Sequence, residues 1–190
     1  MVTIREEKIA DIAAREALLD DAYGPERFAK TSQCLREGRL AADGLSLVAA
    51  NRGRLVGTVR LWDVSAGPGR AALLLGPLAV EPAHRNRGIG SALMRRAISR
   101  ARLAGHSAIL LIGDPAYYGR FGFAATPTGD LWMPGRYERD RLLALELWPA
   151  ALAGARGLIG ATGRLAPKPD LNRLIAANDG VATAPVRRAA

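Results

Sequence analysis

The sequence predicts a mixed α/β fold, a mixed sheet flanked by helices, and three observations carry that expectation. The apolar run from Ala71 to Val80 is followed by an amphipathic helical stretch and a second apolar run at 107–112, the order of strand, helix and parallel strand. Two strand-like runs, 45–50 and 55–62, flank Asn51-Arg52-Gly53-Arg54 in the pattern of an antiparallel hairpin. With 190 residues, 49% hydrophobic and 24% charged, the chain has material for one core and hardly for two.

In chain order, Ile9, Ile12, Ala13, Glu16 and Leu19 recur at spacings of three and four, which predicts a first helix over 9–20 with these residues on its inner face. The pattern weakens between Tyr23 and Gly38. After the hairpin, residues 65–69 read as a loop, and 71–80 as a buried strand in which Gly76-Pro77 marks a bulge. Between Gly88 and Ala104, Ile89, Leu93, Ala97 and Ala101 repeat at i, i+4 while most of the arginines lie elsewhere, and Gly105 stops the helix. A helical turn at 115–120 and strands at 121–125 and 142–148 complete a domain expected to span 1–150. Beyond it the composition turns to Ala, Gly and Pro, so 151–190 is expected to be a C-terminal appendage with a helix near 170–178.

Charge and composition exclude several classes. The formal net charge is +9, from 24 arginines and 3 lysines against 18 acids, yet no basic run is interleaved with aromatics as a nucleic-acid surface requires. A local anion site is expected instead, and no nucleic-acid partner. The longest apolar stretch, Ala71 to Val80, is half the roughly 20 residues of a membrane-spanning helix, and no apolar segment follows a basic start as in a secretion signal. A cytoplasmic location with no membrane partner follows by default. One cysteine, Cys34, forbids an internal disulfide, and with only His84 and His106 beside it no metal site is expected. Cys34 reads as a small packing residue.

The chemistry-bearing segment runs from Leu78 to Met94. A buried strand ends, a basic loop follows, and a helix opens on Gly88 and Gly90. Free N–H groups and the dipole at such a helix start favour an anion, and glycines let it approach the backbone, so Arg85, Asn86, Arg87, Gly88, Ile89, Gly90 and Ser91 form a candidate pyrophosphate cradle. It is not a Walker loop, because the Gly-Lys-Ser/Thr ending is missing, nor a dinucleotide fingerprint, because Leu93 stands where the third glycine belongs.

Arg85, Gly88 and Gly90 instead resemble motif A of the GNAT superfamily of N-acetyltransferases, and Tyr118-Gly119-Arg120-Phe121-Gly122-Phe123 resembles that family's Tyr-xxx-Gly-Phe element. The fuller string from Gly113 to Phe123 is similar to the YhbS-like branch of predicted acetyltransferases, a resemblance covering about residues 3–150. It departs at Leu111, where many members carry Asn, and at the turn Gly113-Asp114-Pro115. The resemblance implies a strongly twisted sheet whose central parallel strands splay around the pantetheine arm of acetyl-CoA. It implies direct acetyl transfer in a ternary complex to a primary amine, on a small molecule or on a peptide or protein. Backbone groups of Leu78, Ala79 and Val80 would hold pantetheine and the thioester carbonyl, and Tyr118, or in its place Tyr117, would protonate the leaving thiolate.

The base is left unassigned: Glu81 and Asp114 lie near but suit the loop and the turn better, and water can serve. His84 lies where it could touch phosphate or adenine but reads as a solvated loop residue, and His106 reads as a surface one. Arg60, Trp62 and Asp63 lie where an acceptor could sit, with Trp62 suited to the core. A noncatalytic acyl-CoA-binding module is the competing reading. A homodimer is compatible with the sequence, which carries nothing that sets the oligomeric state.

Overall fold

The computed structural model describes residues 2–167. Its strands and helices are β1 (Val2–Glu6), α1 (Ile12–Tyr23), the single turn α2 (Thr31–Cys34), β2 (Ser46–Asn51), β3 (Arg54–Ala66), β4 (Ala71–Val80), α3 (Ile89–Leu103), β5 (Ala108–Ile112), α4 (Pro115–Tyr118), β6 (Leu131–Trp132), β7 (Leu142–Glu146) and β8 (Gly157–Ala161). They build a mixed sheet in the order β1-β2-β3-β4-β5-β7, with β8 on β3 and β6 on β8. The mixed α/β class and the strand–helix–parallel-strand unit stand as the sequence predicts, since β4 and β5 pair in parallel through Leu73–Ile109 and Leu74–Leu110.

Both faces of the central strands are buried, which is why they read as continuous apolar runs. Leu73, Leu75, Ile109, Leu111 and Leu143 point to α3, and their neighbours Ala72, Leu74, Ala108, Leu110, Leu142 and Ala144 pack on the opposite side. Helix α3 buries Ile89, Leu93, Ala97 and Ala101 as its periodicity requires, together with Met94. It can lie this close because a Cβ on Gly57 of β3 would stand 3.1 Å from Leu93 and 3.3 Å from Ile89.

Helix α1 differs from its reading. Ile9 and Ile12 are exposed, and the inner face is Arg15, Leu18 and Leu19. Arg15 is tolerated inside because it pairs with buried Glu7 of the β1 end and with Glu16, while Arg60 reaches the other Glu7 oxygen at 3.5 Å. An apolar-stripe argument cannot see a cation that brings its own partners.

Three further expectations are corrected. Ser65 and Ala66, read as loop, belong to β3. The segment 121–125, read as a strand, carries only a bridge between Ala124 and Ala144, because Gly119–Phe121 continues α4 as a 3-10 turn and Gly122 turns left-handed. The core also does not end at Pro149. Leu152, Ala155 and Ile159 are buried, and β8 pairs antiparallel with β3 through Val64–Ala161, Ser65–Gly160 and Ala66–Ile159. Gly67 packs directly on the carbonyl of Arg156, where no side chain fits. The helix expected near 170–178 lies outside the described residues. If β8 is integral, Ile159→Ala is expected to destabilise by roughly 2–5 kcal/mol in a denaturant titration; a change under about 0.5 kcal/mol would show β8 to be a detachable flap.

Candidate functional site

The site grows from a fault in the sheet. Val59 pairs with Leu78 and Leu61 with Leu75, so β4 spends one residue more than β3 between these pairs, a bulge at Gly76-Pro77 held by Trp62 Nε1 donating to the Gly76 carbonyl at 2.6 Å. Pairing with β5 stops at Leu74, although β4 continues to Val80 and β5 to Ile112. The two parallel strands therefore splay.

The orientation of the β4 backbone in this opening follows from its ladder. Glu81 N–H donates to the Val56 carbonyl, and donors alternate along an antiparallel pair, so Ala79 faces β3 while Leu78 and Val80 face the opening. Their carbonyls confirm the direction: Tyr23 Oη donates to the Leu78 carbonyl, and Arg85 Nε to that of Val80 at 3.2 Å. Of the three residues named from the sequence, Leu78 and Val80 present N–H groups to the opening and Ala79 does not.

At one end of the opening lies the basic loop. Asn86 and Gly88 are left-handed, with φ of 59° and 76°, and Gly88 caps α3. The first helical bond runs from Ala92 N–H to the Gly88 carbonyl, so the N–H groups of Ile89, Gly90 and Ser91 have no intrahelical acceptor, and no side chain caps the helix. Arg85, Asn86, Arg87 and Gly88 are exposed. The loop is braced from behind by Glu81, which holds Arg54 and lies 2.7 Å from His84 Nδ1, while His84 Nε2 is 3.2 Å from Asn51 Nδ2. Glu81 is thus occupied structurally, and His84 is a brace rather than a solvated loop residue.

Across the opening, after β5, α4 starts on Asp114, whose carboxylate accepts from Ala116 N–H at 2.9 Å and is occupied in that cap. The two tyrosines of α4 separate. Tyr117 reaches the first turn of α3, its hydroxyl 3.1 Å from where a Cβ on Gly90 would stand, under the Arg120 guanidinium. Tyr118 packs edge-on against Phe123 and lines a cavity of about 340 Å³. Burial pushes its phenol pKa up, with Tyr23 and Tyr117 adding to the shift. Its ring fits because residue 113 is glycine: a Cβ there would overlap the ring carbons. Gly113→Ala is accordingly expected to cost about 1–3 kcal/mol in thermal or denaturant unfolding; an unchanged midpoint would show that the ring is free to move.

The remaining walls come from segments with no readable pattern. Tyr23, Arg27, Lys30 and Arg36, from the stretch where periodicity weakens, line the cavity with Arg60, Trp62, Leu75 and Arg141. Trp62 is buried as expected, yet it also borders the cavity, and Arg60 stacks on it at 4.8 Å. Asp63 does not line it. Cys34 is exposed rather than packed, and His106 is half-buried rather than on the surface. Among the described residues no group of three His, Cys, Asp or Glu side chains is placed to hold a metal, and no helix is long and apolar enough to cross a membrane.

Comparison with known proteins places this geometry. Residues 11–123, more than half of the chain, match the model of the acetyltransferase (GNAT) family. The chain is 29% identical over 157 residues to the uncharacterized N-acetyltransferase YhbS of Escherichia coli K12, covering 82% of this chain and 93% of that protein. The crystal structure of GNAT family N-acetyltransferase YhbS from Escherichia coli in complex with CoA aligns with a TM-score of 0.72 at 30% identity, covering 85% of this chain and 89% of that one. A GNAT family acetyltransferase from Brucella melitensis in complex with acetyl-CoA aligns with a TM-score of 0.60 at 27% identity, covering 90% and 94%.

Proposed function

Because the chain belongs to the GNAT family of acetyltransferases, we propose that it is an acetyl-CoA-dependent N-acetyltransferase that passes the acetyl group directly to a primary amine in a ternary complex. One observation carries this reading: the splay between β4 and β5 brings an uncapped helix start, after β4, and a half-buried tyrosine, after β5, to one opening.

The residues fit the cosubstrate. Gly88 and Gly90 leave open the approach to the N–H groups of Ile89, Gly90 and Ser91, which with Arg85 and Arg87 would take the pyrophosphate. The N–H groups of Leu78 and Val80 would hold the pantetheine arm and polarise the thioester carbonyl. When bound, acetyl-CoA supplies an acetyl group activated as a thioester. Tyr118 then works as general acid. As the amine lone pair forms the new C–N bond and the C–S bond breaks, the sulfur takes the electron pair and the Tyr118 proton.

The cavity also favours the attacking form of the amine. Arg36, Arg60, Lys30 and Arg141 line it, and a positive wall penalises an ammonium relative to a neutral amine. Lys30 registers this field: burial lowers its pKa, and Arg36 and Arg141 lower it further. The two carboxylates of the wall, Glu16 and Asp114, are engaged by arginines and by the α4 cap, which leaves the amine proton to water.

Calorimetric titration of acetyl-CoA, followed by assay of thiol release with a panel of primary amines, tests the reading. Binding with amine-dependent release is expected. Binding without release on any amine would favour a noncatalytic acyl-CoA-binding module, and absence of binding would remove both.

A further inference from the structure

Among the described residues, every basic side chain around the cavity has a carboxylate or an aromatic face beside it except Arg36. Arg27 pairs with Glu16 and with Asp20 at 2.8 Å, Arg60 approaches Glu7 at 3.5 Å, Arg141 approaches Glu138 at 3.5 Å, and Lys30 sits 4.3 Å over the Tyr23 ring. Arg36 is different. It is 8% exposed, its Nε and Nη2 donate to the carbonyl and hydroxyl of Ser32 at 3.0 and 3.1 Å, and no carboxylate among the described residues pairs with it. Its Nη1 is left over, 3.9 Å from where a Cβ on Gly76 would stand, at the bulge that lines the cavity.

A buried guanidinium without a counterion is costly, and the neighbouring Arg27 and Arg60 raise that cost. Burial, with those two like charges, moves its pKa down to about 10, so it still carries its charge at neutral pH. Arg36 is therefore a positive charge with no counterion at the cavity wall among the described residues. The cavity's size sets the scale of what can bring one, because about 340 Å³ lies at the small end of ligand sites and the acetyl thioester must share the space.

We propose that the acceptor is a small amine bearing a carboxylate, and that Arg36 receives this carboxylate with Lys30 and Arg60 beside it. This assignment rests on the acetyltransferase reading for the word acceptor, but the anion site stands on geometry alone. The same field that holds the carboxylate selects against diamines and other purely cationic amines, whose second charge would face five basic side chains against two carboxylates in the wall. Arg36 is here a specificity-determining residue that touches the substrate at the end remote from the reacting nitrogen.

The test uses matched pairs: glycine, β-alanine, 4-aminobutanoate and L-glutamate, each against its carboxamide, titrated into the full chain saturated with CoA. At least one carboxylate is expected to bind about tenfold or more tightly than its carboxamide. In Arg36→Met this preference is expected to fall below about threefold, in Arg36→Lys to persist in part, and CoA affinity to stay within about twofold in both. Carboxamides binding as well as carboxylates in the wild type, or a preference unchanged in Arg36→Met, would overturn the proposal. Should Arg36→Met fail to fold, the wild-type pairs and Arg36→Lys decide alone. Parallel thiol-release assays separate the two readings. A binding preference with no turnover leaves the anion site standing and removes the acetyltransferase, whereas turnover that prefers carboxamides does the reverse.

Discussion

Replacing Tyr118 by phenylalanine is expected to lower kcat by about 10²- to 10⁴-fold, the range of a lost general acid, while the dissociation constant for acetyl-CoA changes by less than about threefold. The ring itself is fixed by packing against Phe123 and by the space at Gly113, so Phe keeps the shape and removes only the proton. Equal losses in kcat and in cosubstrate affinity would show a packing role instead. The pH profile adds a second readout. The form that works is the protonated one, and burial raises its pKa, so loss of the donor moves to higher pH than for a free phenol. Turnover of the wild type is expected to show no alkaline limb from this group up to about pH 10, the ordinary phenol value. An alkaline limb near neutrality that vanished in Tyr118→Phe would contradict the assignment.

The second large effect concerns the helix start. Changing Gly88 and Gly90 together to valine is expected to weaken acetyl-CoA binding at least about 100-fold by calorimetry, with the circular dichroism spectrum retained. The two glycines act differently. A Cβ on Gly88 would meet nothing within 4 Å, so its substitution acts through the left-handed backbone at φ of 76°, which a β-branched residue avoids. A Cβ on Gly90 would crowd the Tyr117 hydroxyl at 3.1 Å and project from the first turn of α3. A folded double variant with wild-type affinity would mean that the cosubstrate does not use this helix end.

How much of this is legible in the sequence depends on which physical signal each residue carries. The strand Ala71–Val80 and the helix around Ile89, Leu93, Ala97 and Ala101 are dictated by burial, and burial leaves a period in the sequence. The glycine-marked start of α3 is legible because Gly88 takes a left-handed conformation there. Of the cavity wall, Arg60 and Trp62 are legible and the rest is not. Tyr23 is the last residue of α1, and Lys30 and Arg36 flank the four-residue α2, where no face repeats, and a buried arginine looks in the sequence like any surface one. Strand β8 escaped for a related reason: Gly-Leu-Ile-Gly-Ala buries only Ile159, with β3 supplying the hydrogen bonds, so its membership in the sheet is a matter of backbone rather than of side chains. Ile9 and Ile12 misled in the opposite sense, as apolar residues that point outward.

The splay leaves the protein with a strand edge in the middle of its own sheet, a feature that elsewhere invites aggregation by strand addition. Here the edge is half closed. Tyr23 and Arg85 occupy the outward carbonyls of Leu78 and Val80, so the edge retains donors but not free acceptors. A foreign β-strand would have to share those engaged carbonyls and displace the side chains on them, whereas a flexible ligand that offers carbonyl oxygens needs only the donors. One pair of side chains thereby makes the open seam a poorer template for a strand than for a short chain of acceptors.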